Sequence, residues 1–216
     1  IPETPMARDP YVAMPMGYGQ SKYICEHLMT YLAAEKNFPC YMERLGQVCG
    51  DSAHGAWNTT EQFPIMIVSG GTLMHAMPKL DTRIDWIPLN FAASAIAKIM
   101  VDTAADNADA PNAVFHIVNP QEVMWTDILE AMKQCGMKFK EVSVEEWIKI
   151  LSEHEDNPAY KLMSFYESAF NDLTDCPHWN TDKTIQTAPM LKDAPSFNKD
   201  LLNKYISYWR KEGFCN

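Results

Sequence analysis

The order of segments between residues 18 and 55 constrains this chain most. From Tyr18 to Glu35 the apolar and small positions Ile24, Cys25, Leu28, Met29, Leu32 and Ala33 recur at helical spacing, and Pro39 closes the segment. Cys40 to Leu45 then reads as a buried strand. It runs into a loop punctuated by Gly46, Gly50 and Gly55. Helix, strand and Gly-rich loop in that order is the grammar of an α/β unit with its site at the carboxyl end of the strand.

The rest of the chain fits that class. Pro64, Gly70, Gly71 and Pro78 break the next stretch into short pieces, and Asp85 to Pro88 reads as extended. Asn90 is placed to cap a helix running to about Thr103. Val114 to Val118 is a β-branched and aromatic strand; a helix from about Thr126 stops before Gly136, and Phe139 to Val142 suits a short strand. Ser143 with Glu146 forms a capping box for a helix through Leu151. Two more helices are expected over Pro158 to Phe170 and Asn198 to Glu212, the last ended by Gly213. The carboxyl-terminal half is thus mainly helical, with a soft boundary near residue 120. The opening Ile-Pro-Glu-Thr-Pro reads as a loop entered from within something longer.

Composition narrows the function classes. With 18 basic and 28 acidic residues the net charge is −10, which disfavours binding by neutralisation of phosphates. No apolar run is long enough to cross a bilayer as a helix. The six cysteines form no CxxC pair and the six histidines no HExxH, so no metal site is expected and the thiols read as reduced and intracellular.

One constellation carries chemistry. Tyr18 and Lys22 stand four residues apart, hence adjacent on one helical face. An ammonium beside a phenol favours the phenolate, so the phenol can give its proton to a carbonyl oxygen as hydride reaches the carbon. The spacing alone is weak, because nine tyrosines yield about half a Tyr-x-x-x-Lys by chance. Its bland reading is a surface tyrosine beside a solvated lysine.

Taken together, six ordered stretches are specific: 17–23 (GYGQSKY), 44–51 (RLGQVCGD), 55–58 (GAWN), 85–88 (DWIP), 116–120 (HIVNP) and 204–209 (KYISYW). They resemble the extended short-chain dehydrogenase/reductases, and among them the thioester reductase domains of fungal nonribosomal peptide synthetases, polyketide synthases and adenylate-forming reductases. The resemblance implies the carboxyl-terminal part of a Rossmann-like domain over 1–120, without its first strands, and a mainly helical substrate-binding subdomain over 121–216. It implies Tyr18 as proton donor and Lys22 as its partner and ribose ligand. Leu45, Gly46, Gln47 and Val48 would lie beside an NADPH nicotinamide, with Met16, Gly17, Asp51 and Trp57 near the substrate. In the family Leu45 is commonly proline.

The implied partners are an acyl or peptidyl carrier protein bearing a phosphopantetheine thioester, and the missing amino-terminal half, which would hold the Gly-rich loop and the Ser or Thr of the family's triad. Reductive release of an aldehyde, or of the alcohol by a further reduction, is the activity this implies, with the chain alone expected to be inactive. Two rival readings stand beside it: a non-redox Dieckmann-type cyclising release domain, and a non-catalytic fragment that binds substrate or carrier protein. Several single residues carry two readings. Trp57 either lines a substrate entrance or anchors its loop from the core. His116, between Phe115 and Ile117, reads as a satisfied structural histidine. Trp147, Leu151, Tyr160 and Phe165 read as core faces.

Overall fold

A computed structural model describes residues 1–13, 15–38, 40–105, 113–172 and 177–215. Pro39, expected to close the first helix, and Cys176 lie outside the described residues. The architecture is α/β, with helices α1 (Gly17–Lys36), α2 (Gln62–Val68), α3 (Leu89–Ala105), α4 (Trp125–Gln134), α5 (Val144–Ser152), α6 (Met163–Asp172), α7 (Asp182–Thr187) and α8 (Lys199–Lys211). The strands are short: β1 (Met42–Leu45), β2 (Val48–Cys49), β3 (Ala76–Pro78), β4 (Arg83–Ile84), β5 (Ile87–Pro88), β6 (Val114–Ile117), β7 (Val123–Met124) and β8 (Lys140–Val142). Three pairs, β1 with β6, β2 with β5 and β3 with β8, are parallel; β4 and β7 are antiparallel.

The chain forms two compact units and passes between them after Gln47, Asn90, Pro120, Pro177 and Ala194. The first unit holds α1, β1, β6, α7 and most of α3. β1 and β6 pair with Met42 opposite Val114 and Arg44 opposite His116, and every residue of β6 is buried. A strand covered on both faces must be continuously apolar unless a polar side chain finds partners within. His116 is that exception.

The second unit packs around an aromatic centre. Trp57 meets Trp86, Phe197, Tyr205 and Trp209 with ring centroids 5.0–6.3 Å apart. A buried indole costs little only when its N–H is bonded. Trp125 donates to Pro78 O at 2.8 Å, Trp147 to Ala76 O at 3.0 Å and Trp209 to Trp57 O at 3.1 Å. Cys49 lies in this core, where burial pushes its thiol up to about 12.

Local signals act as their chemistry dictates at several termini. Ser143 Oγ accepts from Glu146 N at 3.2 Å to open α5, and Asn198 Oδ1 accepts from Asp200 and Leu201 N, both at 3.0 Å, to open α8. Gly136 after α4 and Gly213 after α8 take positive φ. Pro64 is tolerated because it falls in the first turn of α2, whose N–H groups lack intrahelical acceptors.

Three expectations are corrected. α3 begins at Leu89, so Asn90 is inside the helix; its Oδ1 accepts from Ser52 N and Oγ, each at 3.0 Å, tying the loop after β2. Phe165, expected in a core face, is 43% exposed, whereas Trp147, Leu151 and Tyr166 are buried. On α1 the expected apolar face is split: Ile24, Cys25 and Leu28 are exposed, Met29 and Leu32 are half-buried, and Ala33 is buried together with Glu26. An ion pair shares the inward face with hydrocarbon.

Candidate active site

Tyr18 and Lys22 sit on the first turns of α1, which opens after Met16, a residue in extended conformation with no side-chain cap. The first amides of such a helix lack acceptors, and Met16 O begins the ladder by accepting from Gln20 N at 3.0 Å. Ser21 Oγ turns back on Tyr18 O at 2.7 Å. Lys22 Nζ lies 5.4 Å from the centroid of the Tyr18 ring, so the expected pair is assembled. Tyr18 is 69% exposed and Lys22 is also exposed, which leaves the phenol and the ammonium accessible. A Cβ at Gly17 would meet nothing within 4 Å, so its role is not a close contact within this unit.

Beneath them is a polar assembly that the sequence reading missed. Arg44 on β1 donates from Nε to Glu26 Oε2 at 3.0 Å and from Nη2 to Glu26 Oε1 at 2.5 Å. Its Nη1 is 2.9 Å from His116 Nε2, and Nη2 also donates to Thr4 O at 2.9 Å. His116 Nδ1 lies 2.8 Å from Asn180 O, a pure acceptor, so Nδ1 carries the proton and Nε2 accepts from arginine. Burial, reinforced by the Arg44 charge, holds this imidazole below its ordinary range. Glu3 joins α7 from the far end of the sequence, accepting from Lys183 N at 2.6 Å, Thr184 N at 3.0 Å and the Thr184 hydroxyl. The available signal was spacing: Glu26 follows Lys22 as Lys22 follows Tyr18.

The remaining expected site residues divide between the units. In the first, Leu45 ends β1 and is about half exposed, Gly46 N donates to Ile117 O at 3.0 Å, and Gln47 closes the segment. A Cβ on Gly46 would come within 2.7 Å of Val118 Cγ1, so glycine is needed for the backbone to pass. In the second, Val48 starts β2, and Asp51 Oδ1 accepts from Ala53 N at 2.9 Å and His54 N at 2.6 Å. These bonds hold the Asp51 carboxyl below its usual range. Gly55 has φ +75, and a Cβ there would stand 2.4 Å from Lys204 O. Trp57 is 3% exposed and donates to Glu61 Oε2 at 3.1 Å. That burial is what the anchor reading expects.

Among the described residues no group of three or more His, Cys, Asp or Glu is disposed to hold a metal, and no helix is long and apolar enough to cross a membrane.

The NAD-binding family model described as Male sterility protein matches residues 2–96, which include Tyr18, Lys22 and the loop after β1. Over 215 residues, 93% of the chain, it is 30% identical to the non-reducing polyketide synthase tazA of Aspergillus terreus. It is 27% identical over 226 residues to the 3-methylorcinaldehyde synthase tropA of Talaromyces stipitatus. The terminal R domain of the myxalamid biosynthetic pathway superposes with a TM-score of 0.86 at 24% identity, covering 100% of this chain and 54% of that one. Family model, relatives and solved domains together support reading the chain as the carboxyl-terminal part of a thioester reductase domain. A Mycobacterium tuberculosis nonribosomal peptide synthetase R domain shares the fold with a TM-score of 0.70 at 17% identity, over 92% of this chain and 52% of that one. The chain spans about half the length of those solved domains and 8% of each of the two synthases.

Proposed function

We propose that this chain forms part of a reductase domain that uses NADPH to release a carrier-bound acyl or peptidyl thioester as an aldehyde. The observation that carries the proposal is the Tyr18 and Lys22 pair, accessible at the start of α1 in a chain of this family. An exposed phenol and an exposed ammonium one turn apart are a donor set suited to a carbonyl oxygen and a ribose hydroxyl. Lys22 would hold the nicotinamide ribose, and the backbone from Leu45 to Val48 would border the ring. NADPH, when bound, supplies the hydride.

The chain's own residues supply position and charge. The Tyr18 phenol donates to the thioester oxygen as negative charge grows there, and the Lys22 ammonium stabilises the phenolate left behind. Loss of the pantetheine thiol from the resulting hemithioacetal then gives the aldehyde. A carrier protein bearing phosphopantetheine is the partner this chemistry requires.

The outward stripe of α1 supports a second partner. Ile24, Leu28 and Tyr31 are 64, 53 and 45% exposed, and β1 pairs only with β6 among the described residues. Such a face and edge suit further strands of the same reductase domain, including its Gly-rich cofactor loop. The test is a whole reductase domain containing this chain, given NADPH and an acyl-pantetheine thioester. Aldehyde formation that consumes NADPH supports the reading; a cyclised product formed without cofactor overturns it.

A further inference from the structure

Tyr18, Lys22 and Glu26 recur at every fourth residue of α1, which ranges their side chains along one face, a turn apart. The first two are exposed at the working end. The third is a carboxylate buried against a guanidinium. A buried carboxylate persists only where a partner compensates its lost hydration, and here both oxygens are engaged: Oε2 by Arg44 Nε, Oε1 by Arg44 Nη2 and by Met6 N at 2.8 Å.

Besides this pair the helix is held inside this unit by half-buried Met29 and Leu32 and by two longer bonds, Tyr23 Oη to Ala7 O at 3.4 Å and Cys40 Sγ to Met29 O at 3.3 Å. Ala33 is its other buried residue, and the stripe of Ile24, Leu28 and Tyr31 faces outward. Contacts between small apolar side chains resist separation but not rotation or sliding, because burial is non-directional. A two-pronged bond between a guanidinium and a carboxylate is directional in both senses. The guanidinium is itself fixed, since Nη1 meets His116 Nε2, Nη2 also meets Thr4 O, and Arg44 stands opposite His116 in the β1 and β6 register. The sheet therefore dictates where α1 sits along and about its axis.

We propose that Glu26, acting through Arg44, is the positioning residue for Tyr18 and Lys22. It sets the rotation of α1 and so aims the phenol and the ammonium together. The inference rests on the reductase reading and adds to it a residue that touches neither substrate nor cofactor.

The experiment compares Glu26→Gln, Arg44→Lys and Ala33→Gly in the whole reductase domain, each studied below its own unfolding transition. Misaiming both groups lowers kcat about tenfold or more. It also weakens NADPH binding, read by quenching of protein fluorescence, about fivefold as the Lys22 contact is lost. Arg44→Lys, which keeps the charge and one prong, should fall between wild type and Glu26→Gln. Ala33→Gly loosens the same helix and should lower the melting temperature with NADPH affinity unchanged.

A purely structural pair would instead lower only the active fraction, leaving the Kd for NADPH at the wild-type value in all three variants. That result overturns the inference, as does failure of both pair variants to fold. Failure of the reductase reading is distinct: the wild-type domain itself would then neither bind nor oxidise NADPH.

Discussion

Arg44 on the first parallel strand grips Glu26 on the helix that carries Tyr18, with Nε 3.0 Å from one carboxylate oxygen and Nη2 2.5 Å from the other. Both side chains are largely buried, at 15 and 7% exposure. Removing one charge strands the other in a poorly hydrated site. Arg44→Met should therefore cost about 3 kcal/mol of folding stability. Denaturant melts of the two proteins check this, and a cost under about 0.5 kcal/mol, the range of ordinary surface changes, would contradict it.

The His116 imidazole should make stability fall on acidification. It is neutral in the fold, donating from Nδ1 to Asn180 O and accepting from Arg44, with Glu3 and Lys183 the other charged groups gathered near this strand. Its folded pKa lies below the ordinary 6.5, first through burial and then through Arg44. Below that pH the unfolded chain takes up a proton that the folded chain refuses, so stability is full above pH 6.5 and declines as pH falls from there toward the folded value. His116→Gln removes this component. Melts from neutral to mildly acidic pH should show a shallower decline for the variant, and parallel curves would refute the assignment.

Trp57 should behave as a core residue. Its ring contacts four other aromatic rings, and its carbonyl receives the Trp209 indole N–H. Trp57→Ala should cost about 3–5 kcal/mol, the range for large aromatics removed from a core. Phe165→Ala, at a half-open position, should cost about 1 kcal/mol or less. Chemical denaturation orders the two, and the reverse order would return Trp57 to the role of an entrance residue.

Gly55 should not accept a side chain. Its φ of +75 disfavours any residue with a Cβ, and that atom would stand 2.4 Å from Lys204 O. Gly55→Ala should destabilise by about 1–3 kcal/mol. An unchanged melting temperature would show that the loop after β2 is not pinned to α8 in this way.

The sequence carried the periodic elements well. Helices α4, α5 and α8 and strand β6 announce themselves because one interaction, the burial of a repeated apolar face or the bonding of a cap, dominates within a few residues. The side that α1 presents inward was not legible. Periodicity marks Ile24 and Leu28 as a face to be covered without saying by what, and inside this unit Glu26 goes inward because Arg44 waits there. The short α7 has no apolar period, and its first amides are bonded by Glu3, about 180 residues away, a relationship no local window contains. Asn90 illustrates the same limit: a residue suited to capping bonds Ser52 across a loop. The proximity of Tyr18 and Lys22 was legible because four-residue spacing on a helix fixes it by geometry alone.

The most direct measurement is single-turnover reduction of an acyl-pantetheine thioester by the whole reductase domain, comparing wild type with Tyr18→Phe. The phenylalanine keeps the ring and the Lys22 contact and removes only the hydroxyl. Aldehyde formation should fall about a hundredfold or more while NADPH binding stays at the wild-type level, as expected when a general acid is removed. Equal rates in the two proteins would contradict the central claim that the Tyr18 hydroxyl serves the carbonyl oxygen.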